Sequence, residues 1–213
     1  VAGSAYSTFV SSTKTITVSG GAAAFSVGSV VALVENAGLG QMTAVGKIAE
    51  KSGSDIILDR VDGQVAELSQ TPIAGSASLF TLDGAALSFG TLSTATAAVG
   101  VAAISVTADT ANGYTVFTQA SGRPTDGTHE LTPVTDGAVA TGSEEYGIRT
   151  YGSTSPLTGD VGVTSTSFAI QVATTTSAQP ADRVALVYKL AINSSTPAGT
   201  YAQSLFFTLT PNY

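Results

Sequence analysis

His129, the single histidine of the chain, is the side chain best suited to bind a metal or to transfer a proton. It lies in the segment TDGTHEL, where Asp126 and Glu130 are its near acidic neighbours. A metal site or an acid–base site needs several such groups held together around a ligand. Two carboxylates and one imidazole within a turn are more typical of a solvated loop. We therefore predict no metal site here.

The adjacent acids Glu144 and Glu145 are a second place where chemistry could occur. Glycoside hydrolysis uses two carboxylates on either side of a cleft, whereas this pair reads as the solvated start of a strand. The sequence shows no nucleophile elbow at a strand–helix boundary and no calcium-loop motif. Cysteine is absent, which excludes disulfides and thiolate metal sites. We therefore predict that the protein is not an enzyme and has no cofactor.

Two covalent modifications fit the residue types. Asn193 begins the sequence Asn-Ser-Ser, an acceptor for N-glycosylation, in a predicted exposed loop. Lys14 or Lys189 could also form an amide crosslink with Asn193 or Asn212. Such a crosslink requires a buried lysine, an asparagine and an acid in one place, and nothing in the sequence demands that arrangement.

Charged residues make up only 11% of the 213 residues, against about 25% in typical soluble domains. Serine, threonine, alanine and glycine take their place, which favours a secreted protein. The net charge of −7 and eight scattered basic residues argue against a nucleic-acid partner, which needs clustered lysine and arginine. Apolar runs such as residues 97–106 are shorter than the roughly 20 residues of a transmembrane helix. We predict an extracellular or cell-surface protein with no membrane span.

The C-terminal stretch, residues 183–213, carries the clearest strand signal. Apolar side chains alternate over 188–192 and again over 201–209, as in half-buried strands. Turn formers between Asn193 and Gly199 predict a hairpin. Short strands and regular turns predict an all-β fold, with an antiparallel β-sandwich of jelly-roll or immunoglobulin-like type over residues 75–213. Its predicted strands are 78–82, 86–89, 99–108, 114–120, 146–151, 167–173, 184–192 and 201–210, with turns that include Asp83-Gly84 and Asn112-Gly113.

Residues 21–74 differ in composition, with tight turns and a higher density of charged residues than the rest of the chain. We predict strands at 25–34, 43–49, 55–59 and 65–68, a loop at 35–41 and a hairpin turn at 51–54. This rhythm resembles the SH3-like small barrels of extracellular and phage structural proteins. Proline, glycine and serine in residues 71–76 mark the boundary with the sandwich.

Residues 1–20 form the third predicted unit, an N-terminal extended strand. Side chains of one parity predict a strand from 6 to 18, and it has two interpretations. It could be the first strand of its own sheet, or it could complete the sheet of a neighbouring subunit, because strand addition pairs an open edge. In the second case the subunit interface would consist of Tyr6, Thr8, Val10, Ile16 and Val18.

Two segments carry a family resemblance. "ALSFGTLSTATAAVGVAAISVTADTANGYTVFTQASG" at 86–122 and "YKLAINSSTPAGTYAQSLFFTLTPNY" at 188–213 resemble secreted bacterial and archaeal surface β-sandwich proteins. The terminal "PAGTY" hairpin is also similar to the last hairpin of pilin-like filament subunits assembled by chaperone–usher pathways and of spore-coat-U-like proteins. The resemblance implies an extracellular β-sandwich that assembles with copies of itself.

These observations predict a structural subunit of an extracellular filament, pilus or surface assembly. Residues 1–20 would add as a strand to the next subunit, and a head-to-tail contact that does not close produces a helical polymer. One alternative is an adhesin or carbohydrate-binding module that meets glycans or a host surface through Tyr114, Tyr146 and Tyr151. Another is a subunit of a phage or viral tail or capsid, which the barrel-like segment permits.

Overall fold

The protein is built from antiparallel β-strands, which confirms the all-β prediction. A computed structural model describes residues 3–35, 42–63, 68–72, 77–82, 86–165 and 169–213, and within these ranges it contains twelve strands and no helix. Abundant valine and threonine favour strands, and glycine-rich turns separate them. In chain order the strands are β1 (Ser4–Val10), β2 (Thr15–Val18), β3 (Val30–Glu35), β4 (Met42–Ser52), β5 (Asp55–Gly63), β6 (Ala77–Thr81), β7 (Ala98–Ala108), β8 (Tyr114–Ala120), β9 (Glu145–Tyr151), β10 (Ile170–Thr175), β11 (Gln179–Ala191) and β12 (Leu205–Pro211).

The first six strands form a closed barrel in the order β1-β2-β5-β4-β3-β6. Pairing of β1 with β6, Ser4 opposite Leu79, closes it. A tight turn joins β4 to β5, with Ser52 opposite Asp55 and Gly53 at φ 59°, a conformation that glycine adopts without strain. The barrel therefore extends beyond the predicted 21–74 in both directions. Its interior is filled mainly by aliphatic and aromatic side chains, among them Phe9, Ile16, Leu33, Ile48, Ile56, Leu58 and Leu79.

The N-terminal segment is a hairpin, so the prediction of one strand from 6 to 18 is wrong. Residues 11–14 form a turn in which Lys14 has a φ of 58°, and β2 returns along β1. The pairing of β1 with β2 shifts register between Tyr6 and Thr8, which breaks the alternation. Phe9 consequently points into the barrel while Val10 is exposed. A local irregularity of this kind is invisible to a period-2 pattern.

The remaining strands form two three-stranded sheets, in the orders β10-β8-β12 and β7-β11-β9. Buried side chains of both sheets belong to one hydrophobic cluster. The predicted C-terminal hairpin is wrong, because β11 pairs with β7 and β9 whereas β12 pairs with β8. The predicted strand at 86–89 is also absent, and Phe89 instead packs against Tyr188 with ring centroids 5.6 Å apart.

Several predicted features fall partly or wholly on residues that the structure does not describe. These are the loop at 35–41, the strand at 65–68, the boundary at 71–76, the turn at Asp83-Gly84 and the start of the strand at 167–173.

A separate apolar cluster joins the barrel to the sheet β7-β11-β9. Ala32, Val34 and Val45 of the barrel cluster with three residues of the sheet, Val101, Ala185 and Val187. The side chains of β11 alternate, so one face contributes to the cluster that the two sheets share and the other face contacts the barrel.

Tyr6 is held inside the barrel by a buried hydrogen bond. Its hydroxyl donates to Glu35 Oε1 over 2.8 Å, and the backbone N–H of Ser69 donates to Glu35 Oε2 over 3.0 Å. Burial, together with the neighbouring carboxylate, raises the pKa of Tyr6 well above its usual range. The phenol therefore stays a donor at any physiological pH.

Replacing Tyr6 with phenylalanine is expected to lower the free energy of unfolding by about 1–3 kcal/mol, because a buried carboxylate oxygen loses its donor. Chemical denaturation followed by circular dichroism measures the loss. Tyr201→Phe is the matched control, since the Tyr201 hydroxyl donates to the Pro197 carbonyl at an exposed position. Equal losses in the two variants would contradict the importance of the Glu35 contact.

Candidate functional site

Strand β12 lies at the edge of its sheet. It pairs with β8 from Leu205 opposite Ala120 to Pro211 opposite Tyr114, and no other strand of the described chain pairs with it. An edge strand presents backbone N–H and C=O groups that can pair with another chain. The other side of β12 is therefore an open edge.

The open edge is strongly apolar. Phe207 and Leu209 lie opposite Thr118 and Val116 of β8 and so share the buried face of the sheet, yet they are 45% and 49% exposed. Phe206, on the other face, is 53% exposed. The packing that buries this face at β8 therefore does not extend to β12. Exposed edges usually carry charge as protection, but the sequence from Leu190 to Tyr213 has no charged residue.

Hydrogen bonds at both ends hold β12 in place. Before the strand, the Gln203 side-chain amide donates to the carbonyls of Gly122 and Val163 over 2.6 and 2.7 Å, and the buried Tyr188 donates to its oxygen. After the strand, Asn212 donates from its backbone to Gly113 and from its side chain to Thr175. The apolar middle of β12 is therefore exposed, whereas hydrogen bonds hold both ends of the strand in place.

The residues predicted for a subunit interface lie mostly inside the barrel. Tyr6, Ile16 and Val18 are buried in its core, Thr8 is half-buried and only Val10 is exposed. Exchange of this hairpin between subunits stays a prediction. It would require β1 and β2 to leave the barrel.

The aromatic residues suggested for glycan binding are not on the surface together. Tyr114 and Tyr146 are fully buried, so the expectation that they are exposed is wrong. The Tyr114 hydroxyl donates to Asp182, and burial together with this carboxylate raises the pKa of Tyr114 to about 12. Tyr151 is half-buried, with the Arg149 guanidinium 5.1 Å from its ring centroid. Both tyrosines lie on the buried face of their strands, and the sequence around them does not show which face of each strand is buried.

His129 connects two loops. Its Nε2 lies 2.9 Å from Glu144 Oε2, and Asp126 Oδ1 accepts the backbone N–H of His129 over 2.8 Å. Burial by itself would raise the pKa of Glu144, but hydrogen bonds from His129 and Thr196 outweigh it and lower the pKa. Across the described residues no cluster of three or more histidines and carboxylates could hold a metal ion.

The lysines and asparagines considered for a crosslink do not meet one another. Lys14 donates to the Asp59 carbonyl, and Asn212 is bound as described above. Asn193 Oδ1 accepts the backbone N–H groups of Ser195 and Thr196 in its own turn. Glycosylation of Asn193 stays a prediction. Lys189, in contrast, lies against a buried aspartate, Asp160, with Nζ 3.1 Å from Oδ2.

Arg183 is a buried residue that sequence reasoning missed. From β11 it donates to both oxygens of Asp59 and to Asp62 on β5, over 2.9–3.4 Å. Burial would raise the pKa of Asp59, but hydrogen bonds from Arg183 and two backbone amides lower it. For Asp62 burial prevails over two guanidinium groups and raises the pKa. The contact ties the barrel to the sheet, and its residues are 124 positions apart in the chain.

Comparisons with family models, with curated proteins and with solved structures find no match for this chain. In the described ranges, no helix has the length and hydropathy needed to cross a bilayer. What the geometry offers is an apolar sheet edge with unpaired backbone groups, and the chemistry of such an edge is association with another strand.

Proposed function

We propose that the protein is a structural subunit of an extracellular filament, pilus or surface assembly, in which a β-strand adds to the open edge of β12. The exposure of Phe207 and Leu209 on the buried face of their sheet is the observation that supports this function. We further infer that the two three-stranded sheets form an antiparallel β-sandwich that lacks cover on the β12 side.

An added strand would bring two gains. Its backbone would pair with the N–H and C=O groups of β12. It would also cover apolar side chains, worth about 1.5–3 kcal/mol for each one fully buried and roughly half of that for residues already half covered. Because β12 and its neighbours are uncharged, no charge would have to be desolvated.

The contacts support β12 as the acceptor more directly than they support a donor. The donor predicted from the sequence, residues 1–20, contributes β1 and β2 to a closed barrel. Its release would expose Phe9 and Ile16, both fully buried. A donor strand from outside the barrel would avoid that loss.

The test is the assembly state of Leu209→Lys. Sedimentation and negative-stain microscopy over a range of concentrations are expected to show ordered polymers for the unaltered protein. The variant should remain monomeric, because an added strand would bury the new charge. Thr208→Lys is the matched control, since Thr208 is exposed on the opposite face of β12 and should leave assembly largely intact.

Monomers at every concentration for the unaltered protein, or polymers of Leu209→Lys, would contradict assembly at β12. A subunit of a phage or viral tail or capsid would use the same edge, and closed shells or tubes of fixed length in the micrographs would favour that alternative. Binding of a glycan by a monomer would favour the adhesin.

A further inference from the structure

Lys189 and Asp160 form a buried pair outside the β12 edge. Lys189 lies on the face of β11 that points away from the core between the sheets, opposite Gly147 of β9. Its Nζ is 3.1 Å from Asp160 Oδ2, and the exposed side-chain fractions are 18% for Lys189 and 2% for Asp160. The amine and the carboxyl group are therefore in contact and largely shielded from water.

The carboxyl group of Asp160 is incompletely satisfied. Oδ2 accepts from Lys189 and from the backbone N–H of Val139 over 2.9 Å. Oδ1 is buried and has no hydrogen-bond partner among the described residues. A buried carboxylate with an unpaired oxygen is unfavourable, because its desolvation is not compensated. Conversion to a neutral amide would remove both charges.

A second carboxyl group, that of Glu145, is placed on the same face of the sheet as Lys189. Glu145 precedes Gly147 by two residues on β9 and so shares the face of Gly147 and Lys189. Consecutive backbone N–H groups donate to the two acids, Val139 to Asp160 and Ala140 to Glu145 Oε2 over 3.1 Å. The two carboxyl groups are thus bound by adjacent residues of one segment.

Gly147 provides the space for this arrangement. A Cβ atom at Gly147 would lie 3.2 Å from Asp160 Cβ and 2.7 Å from Val134 Cγ1. Any larger residue would push Asp160 away from Lys189. The side chains of Val134 and Val139 surround the same point and help to exclude water.

We propose that Lys189 and Asp160 join in an intramolecular amide crosslink. Lys189 Nζ forms a bond to Asp160 Cγ, and one carboxyl oxygen leaves as water. The ammonium group supplies both protons of that water, so charge and atoms balance without another reactant. Glu145 accepts a proton from the amine and delivers it to the departing oxygen, as a general base and then a general acid. Contact between the groups supplies the proximity that such a reaction needs.

The crosslink would tie β11 to the segment that precedes β10. It closes a loop whose ends are 29 residues apart, in a chain without cysteine. A covalent tie of this kind restricts the unfolded chain as a disulfide does. It is independent of the β12 edge, so failure of either proposal leaves the other standing.

Intact-mass spectrometry of the folded, purified protein tests the proposal. The mass is expected to be lower than the sequence mass by one water molecule. Trypsin should then yield residues 150–183 linked to residues 184–213, with no cleavage after Lys189. Lys189→Ala and Asp160→Ala should show the full sequence mass. Glu145→Gln keeps an oxygen for the Ala140 N–H but cannot accept a proton and return it, and it should react many-fold more slowly.

Peptide mapping also separates the crosslink from another loss of water. Aspartyl–glycine sequences such as Asp126-Gly127 can form a succinimide with the same mass change. A water loss that persists in Lys189→Ala would therefore overturn the proposal. The full sequence mass in the unaltered, folded protein would overturn it as well. Unchanged reaction in Glu145→Gln would overturn the role given to Glu145.

Discussion

Replacing Phe9 with alanine is expected to lower the free energy of unfolding by about 3–5 kcal/mol, the usual effect of emptying a buried aromatic site. Phe9 is completely buried in the barrel, and its backbone N–H donates to the carbonyl of Gln70 over 3.2 Å. The surrounding strands form a closed barrel that cannot collapse easily into the space. Chemical denaturation followed by circular dichroism measures the change.

Val10→Ala is the matched control, because Val10 is the next residue of β1 and its side chain is exposed. We expect a change within about 0.5 kcal/mol for this variant. The pair also separates two interpretations of the segment. Simple alternation from Tyr6 places Val10 in the apolar row, whereas the register shift places Phe9 there. A larger loss for Val10→Ala would mean that the hairpin register is wrong.

Replacing Arg183 with alanine is expected to destabilise the protein toward the lower end of the roughly 3–5 kcal/mol seen when one partner of a buried ion pair is removed. The low end applies because the side chains of Asp59 and Asp62 are 38% and 15% exposed, although Arg183 is buried. Removal leaves two carboxylates next to each other without their shared cation. Thermal and chemical unfolding measure the loss, and Arg123→Ala, at an exposed pair 3.9 Å from Glu130, should lose far less.

At acid pH, Arg183→Ala and the unaltered protein should differ less in their free energy of unfolding. The guanidinium lowers the pKa of Asp59 in the folded state and opposes the rise of the pKa of Asp62. The part of this stabilisation that comes from Asp59 is present above the ordinary aspartate pKa of about 4 and is lost as the pH falls through the lowered folded pKa of Asp59. The part that comes from Asp62 is lost at a higher pH, because the folded pKa of Asp62 is raised. A difference that stays constant from neutral pH to strong acid would contradict this account.

The two proposals for β12 and for Lys189 have different physical bases. The β12 edge is a surface that lacks a partner, so its test is a change of assembly. The Lys189 pair is an interior contact between reactive groups, so its test is a change of mass. Both depend on residues whose own neighbours in sequence give no hint of their environment.

Local chemistry in the sequence determined the class of fold. Alternating valine, isoleucine and threonine predicted strands, and turn residues such as those around Gly53 and Asn112-Gly113 predicted where the chain reverses or ends a strand. Strand propensity and turn conformation depend on a few consecutive residues, so they can be read directly. The absence of charge after Lys189 is likewise visible in the sequence, but it does not show that β12 lies at the edge of a sheet.

Only the tertiary structure decided which strands pair. The turn at Asn112-Gly113 leads from β7 into β8, yet these strands lie in different sheets, as do β11 and β12. Pairing over long distances depends on how whole faces pack, and a single extra residue in β1 redirects Phe9. The contacts of Arg183 with Asp59 and of Lys189 with Asp160 join residues 124 and 29 positions apart. No local pattern encodes such contacts, because burial and partner arise only when the sheets and the barrel come together.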